Sequence, residues 1–191
     1  MEYFFIIIGA VFVNNFILTQ FLGLCTFFGV SKKSEAAVGM GLSVMFVMAL
    51  SSSITFLFYT FVLVPLNITH LQTIVFILII ASIVQFLEVF MKKKIAALYN
   101  LLGIYLPLIT TNCAIFGVAL INIRDEYNFL GMILNSLGAG AGFFLAIVIL
   151  SSIREKLESN PDIPALFKGF PLALFSAGLM SIAFMGFQGL F

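Results

Sequence analysis

Charged positions cut this chain into long apolar runs: residues 3–31, 36–87, 95–123, 127–153 and 169–191 carry no charge. A bilayer core takes about 20 residues per helix, so 36–87 has to hold two spans. They divide at Pro65-Leu66-Asn67-Ile68-Thr69-His70, where a proline and polar residues end one helix and open the next. The pattern predicts six spans, approximately 3–28, 37–64, 71–91, 97–120, 129–152 and 170–190. A soluble six-helix bundle would show a polar face on each helix, and these segments have none. The predicted fold class is an all-α integral membrane protein.

Composition agrees. The 191 residues are 62% hydrophobic and 9% charged, where a soluble domain carries roughly 25%. Distribution matters more than the net charge of +1. Lys32 and Lys33 fall in loop 1, Lys92 to Lys94 in loop 3, and Arg154, Lys156 and Lys168 in loop 5. Only Arg124 occupies an even-numbered loop. The positive-inside rule then puts loops 1, 3 and 5 in the cytoplasm of a cell-membrane protein, with both termini outside. The Lys92-Lys93-Lys94 run reads as an anchor at the membrane edge, so no nucleic-acid partner is expected. The start, Met1-Glu2-Tyr3, lacks a basic region and leads into too long an apolar stretch for a cleavable signal peptide.

A short phrase occurs twice. Cys25-Thr-Phe-Phe-Gly-Val30 returns as Cys113-Ala-Ile-Phe-Gly-Val118, 88 positions on, and these are the two cysteines of the chain. Gly39-Met40 in span 2 is answered by Gly131-Met132 in span 5. Three spans per half invert the second half relative to the first, as in many transporters. The expected organisation is one membrane domain, 1–191, of two inverted repeats, about 1–94 and 95–191.

Residues 3–28 as one straight helix would be ~39 Å long, against a core of ~30 Å. Cys25 would then lie near the cytoplasmic edge and Cys113 toward the outside. The thiols can meet at the midplane only if spans 1 and 4 are interrupted. Gly23, and Pro107 with Thr110-Thr111-Asn112, offer the means, since polar side chains can satisfy the freed backbone. Three readings of such a pair stand open: small hydrophobes, a disulfide, or soft metal ligands. A 2Fe–2S cluster wants four cysteines, so a cluster would need two more from a partner.

The phrases Val13-Asn14-Asn15-Phe16, Phe21-Leu22-Gly23-Leu24-Cys25, Gly29-Val30-Ser31-Lys32-Lys33, Gly39-Met40-Gly41-Leu42 and Leu106-Pro107-Leu108-Ile109-Thr110-Thr111-Asn112-Cys113-Ala114 carry a resemblance. So does the ending Ala177-Gly178-Leu179-Met180-Ser181-Ile182-Ala183-Phe184-Met185-Gly186-Phe187. Over essentially the whole chain the sequence resembles the RnfA/NqrE family of membrane subunits. The Asn14-Asn15 pair and the ending favour the RnfA branch over the NqrE branch of the Na+-pumping NADH:quinone oxidoreductase. The resemblance implies a subunit, inactive alone, of the Rnf complex. That complex passes electrons between ferredoxin and NAD and moves Na+ or H+ across the membrane. It also implies that Cys25 and Cys113 are iron ligands of an intramembrane 2Fe–2S cluster shared with a homologous subunit of opposite topology, RnfE. The other partners it implies are RnfB, RnfC, RnfD and RnfG, which hold the nicotinamide, flavin and remaining iron–sulfur sites. No glycine-rich dinucleotide fingerprint occurs here, in keeping with that division.

Other polar residues have two readings each. Glu88 either pairs with Lys92 at i,i+4 or takes up a cation, since acids at membrane depth mark ion paths. Asn14, Asn15, Thr110, Thr111 and Asn112 lie inside spans 1 and 4, and capping of broken helix ends is favoured over a role near cluster sulfurs or along an ion path. His70 is expected in a solvated outer loop. Gly138-Ala139-Gly140-Ala141-Gly142 reads as a packing seam. The competing functions are a small inverted-repeat transporter, for which polar substrate ligands are too few, and a structural scaffold for a redox complex.

Overall fold

The computed structural model describes residues 7–13, 15–66, 69–94, 106–161, 164 and 168–189. Asn14, the ends of the chain, the centre of the 65–70 break and the start of predicted span 4 lie outside the described residues. The regular structure among them is helical, with no strand. A π-helical turn, Gly9–Val13, leads to α1 (Phe16–Gln20) and α2 (Leu24–Val30). Next come α3 (Ser34–Phe58), which continues helically to Leu66, and α4 (Gln72–Lys94). After these come α5 (Leu106–Thr110), α6 (Cys113–Arg124), α7 (Phe129–Glu158) and α8 (Phe170–Met185).

Among the described residues four stretches are long and apolar enough to cross a membrane: Ser34–Leu66, Gln72–Phe90, Pro107–Arg124 and Phe129–Glu158. The 16 residues of α8 are shorter, and the described part of span 1 is divided into short helical pieces. Large apolar side chains point outward, as a lipid-facing surface requires. On α4, Phe76, Ile80 and Val84 are buried while Ile77, Leu78, Phe86 and Val89 are exposed.

The centre of the fold is the antiparallel crossing of α3 and α7. A Cβ on Gly41 would lie 2.6 Å from the Phe144 ring, and one on Gly140 would lie 2.8 Å from Met45 Cα. The pairings run in opposite directions along the two helices, which fixes their sense. Small residues let the backbones approach this closely, and Val44, Met48, Phe143, Ala146 and Ile147 fill the seam on either side. Gly138 and Gly142 meet the π-helical turn instead, at Ala10 Cβ and Val11 O. The glycine-rich stretch therefore packs against two elements at once.

One predicted boundary needs correction. The charge pattern ends span 5 at 152 and leaves Arg154 in a loop. Instead α7 runs to Glu158, about 45 Å in all. Arg154 is 3% exposed, and its Nε donates to Glu158 Oε1 at 2.8 Å, one turn on. A cation marks where a bilayer is unfavourable, and a helix need not stop there.

Candidate functional site

Span 1 breaks at two points. Asn15 is extended (φ −65°, ψ 110°) and caps α1, its Oδ1 accepting from Ile17 N. Its Nδ2 donates to Gly142 O at 3.0 Å and to Val11 O at 3.3 Å, so the carbonyl freed at the break is satisfied. The helix is then broken by two left-handed residues, Phe21 (φ 57°) and Gly23 (φ 85°), before α2 begins. The break predicted at Gly23 is present, and the one at Asn15 is additional. Ser181 Oγ donates to Leu18 O at 2.6 Å across the same region.

Span 4 breaks by the same device. Asn112 (φ −71°, ψ 112°) caps α6, its Oδ1 accepting from Ala114 N at 3.0 Å. Thr111 Oγ1 donates to Pro107 O, closing the end of α5. The favoured capping role therefore holds for Asn15 and Asn112, which are 1% and 2% exposed.

The breaks bring the cysteines together. Cys113 is the first residue of α6 and Cys25 the second of α2. The backbone N–H of Gly23, two residues before Cys25, donates to Cys113 Sγ at 2.9 Å. Asn112 Nδ2 reaches Thr26 Oγ1 at 3.4 Å, and Thr26 Oγ1 donates to Gly23 O at 2.8 Å, tying one tip to the other. A Cβ on Gly23 would fall 3.2 Å from Ala114 Cβ and from the Phe143 ring. The glycines of the repeated phrase pack crosswise: Gly117 against Leu22, and Gly29 against Leu108.

Both cysteines are free and exposed, which sets aside two readings, the disulfide and the buried small hydrophobe. The Gly23 N–H is a donor of the kind that tunes cluster sulfurs. Among the described residues no three His, Cys, Asp or Glu side chains converge on a metal position. The donor set thus fits half of a four-thiolate cluster. Cys25 opens into a cavity of about 1070 Å³ with apolar walls (Leu24, Phe28, Phe170, Leu174) and a charged rim of Lys32, Arg154, Glu158 and Lys168. Residues assigned to loops 1 and 5 therefore share one end of the molecule.

Two other predicted residues are half-buried. Glu88 is half-buried on α4, one turn beyond Val84 and four residues before Lys92. Thr110 is half-buried at the end of α5. Sequence reasoning missed Arg154, whose Nη1 donates to Phe28 O at 3.3 Å and Ser31 Oγ at 3.1 Å. It also missed a buried polar cluster in which Asn122 donates to Ser136 Oγ (2.9 Å) and accepts from Asn135 (2.7 Å). A polar residue in a predicted span was the available signal for that cluster.

Comparison with known proteins places this architecture. Residues 3–191 match the family described as Rnf-Nqr subunit, membrane protein. The chain is 57% identical over 190 residues to one subunit of the Na(+)-translocating ferredoxin:NAD(+) oxidoreductase complex of Acetobacterium woodii, covering 100% of this chain and 98% of that one. It is 54% identical to the corresponding subunit of the ion-translocating oxidoreductase complex of Serratia proteamaculans, and 52% to that of Colwellia psychrerythraea, covering 99% of this chain and 97% of each of those. This chain therefore belongs to the Rnf-Nqr family of membrane subunits.

Proposed function

We propose that the chain is a membrane subunit of an ion-translocating ferredoxin:NAD oxidoreductase complex and supplies half the ligands of an intramembrane 2Fe–2S cluster. The observation that carries this reading is the exposed thiol pair, Cys25 and Cys113, set on the first turns of two helices and braced by the Gly23 N–H. Two further cysteines come from a homologous, RnfE-like subunit of opposite topology docked over the pair. RnfB-, RnfC-, RnfD- and RnfG-like subunits complete the assembly. Bound there, a 2Fe–2S cluster supplies a one-electron carrier inside the membrane.

This chain's own residues orient the two sulfurs, exclude lipid from one side of them and hold a donor on Cys113 Sγ. The antiparallel α3 and α7 and the crosswise Gly29 and Gly117 contacts support two inverted repeats. The gathering of Lys32, Arg154 and Lys168 at one end supports a cytoplasmic placement of loops 1 and 5. Coupling to Na+ follows the cation in the name of the Acetobacterium woodii relative, with H+ as the alternative and Glu88 as the candidate carboxylate for uptake.

The test is Cys25→Ser and Cys113→Ser in the purified complex. Each change is expected to abolish the reduced-state 2Fe–2S EPR signal and lower the iron content. Survival of both signal and iron in both variants would overturn the reading.

A further inference from the structure

The helix that carries Cys25 is seven residues long, and helices this short do not hold themselves together in isolation. Its start is a left-handed glycine and its end runs into Ser31-Lys32-Lys33. Phe27 and Val30 bury one face of α2 in the core, and the polar contacts at its two ends fix the direction in which Cys25 points. At the start, Gly23 and Thr26 are tied to Cys113 and Asn112 of the other half. At the far end Phe28 packs edge-on against Phe170, and Arg154 supplies the charged contact. Arg154 Nη1 donates both to Phe28 O, among the last carbonyls of α2, and to the hydroxyl of Ser31, which is fully buried. Glu158 holds the guanidinium from the opposite side through Nε. The carbonyls at a helix end attract a cation, and the planar fork of arginine can serve two acceptors while another of its nitrogens is held elsewhere.

We propose that Arg154 is a positioning residue for the Cys25 half-site: from α7 it fixes the end of α2, and so keeps the Cys25 sulfur beside Cys113. It touches neither thiol and acts through the two turns of α2. Arg154 also lines the cavity into which Cys25 opens, so a change in its position or charge is felt at the sulfur. The spectroscopic part of this inference rests on the cluster reading above, whereas the geometric part does not.

The experiment uses the whole complex with Arg154→Gln and Arg154→Lys. In iron-depleted complex, oxidation by diamide reports how readily Cys25 and Cys113 meet. Disulfide formation is expected to slow several-fold in Arg154→Gln and to recover in part in Arg154→Lys. In loaded complex, a redox titration followed by EPR is expected to show shifted g-values and a lowered midpoint potential in Arg154→Gln. Wild-type cross-linking together with a wild-type spectrum and potential in an assembled Arg154→Gln complex would overturn the proposal. Should that variant fail to assemble, Ser31→Ala decides by the same readouts. It removes one acceptor and leaves the charge, and an unchanged rate and spectrum would again overturn it. A wild-type complex without a 2Fe–2S signal would sink the cluster reading alone, since the cross-linking comparison still stands.

Discussion

The amide of Gly23 and the sulfur of Cys113, 90 residues apart in sequence, are hydrogen-bonded at 2.9 Å. The contact needs a backbone at φ 85° with no side chain, because a Cβ would press on Ala114 and Phe143 at 3.2 Å. A non-glycine residue in that conformation costs roughly 1–2 kcal/mol before any clash. Gly23→Ala is therefore expected to turn the N–H away from Cys113 and to shift both the midpoint potential and the EPR line shape of the complex. A redox titration matching the wild type would show that the amide does not tune the sulfur.

The two capping asparagines differ in what they hold. Asn112 joins the tips that carry both cysteines, while Asn15 ties span 1 to Gly142 of α7. Loss of such a cap costs about 1 kcal/mol, more where a buried partner is stranded. Asn112→Ala is expected to lower both the melting temperature and iron retention. Asn15→Ala should lower the melting temperature and leave the spectrum of the remaining folded complex unaltered. Thermal unfolding in detergent, with iron assayed alongside, separates the two; equal iron loss in both variants would contradict the distinction.

At the α3–α7 crossing the structure separates neighbouring glycines. Gly140→Ala would place a methyl 2.8 Å from Met45 Cα, backbone that cannot swing aside, whereas Gly39→Ala meets nothing within 4 Å. Overpacking costs typically about 1–3 kcal/mol, so Gly140→Ala is expected to reduce thermal stability measurably. Gly39→Ala should be neutral or slightly stabilising through helix propensity. A reversed order of melting temperatures would refute the crossing as described.

Glu88 gives a test of coupling apart from electron transfer. Glu88→Gln is expected to depress cation uptake into proteoliposomes severalfold while the 2Fe–2S spectrum stays as in the wild type. Unimpaired uptake would return Glu88 to the i,i+4 partnership with Lys92 that its spacing allows.

Much of the architecture could be read in the residue pattern because charge is so scarce. Spans 2 and 3 begin and end within a few residues of the helices observed. The cysteine breaks were legible because Gly23 stands just before Cys25, and Pro107 with Thr110-Thr111-Asn112 just before Cys113. What escaped was set by partners distant in sequence. Asn15 was legible as a cap, but not its partner Gly142, 127 positions on, which accepts from its amide. Arg154 reads as a loop cation until α2 folds back against it. Asn122, Asn135 and Ser136 satisfy one another only once α6 and α7 pack, and no local rule links them.

The hydrogen bonds of the first span also impose an order on biogenesis. Its broken backbone relies on Gly142, Arg154 and Ser181, all of which leave the ribosome long after residues 7–30 have entered the membrane. Until the last of these emerges, the Asn15 amide and Phe28 O have only their local partners, Val11 O and the Ser31 hydroxyl, and Leu18 O lacks its Ser181 donor. The first segment to be inserted is thus the last to be finished, and a chain arrested before Ser181 leaves that segment an unfinished client for membrane quality control.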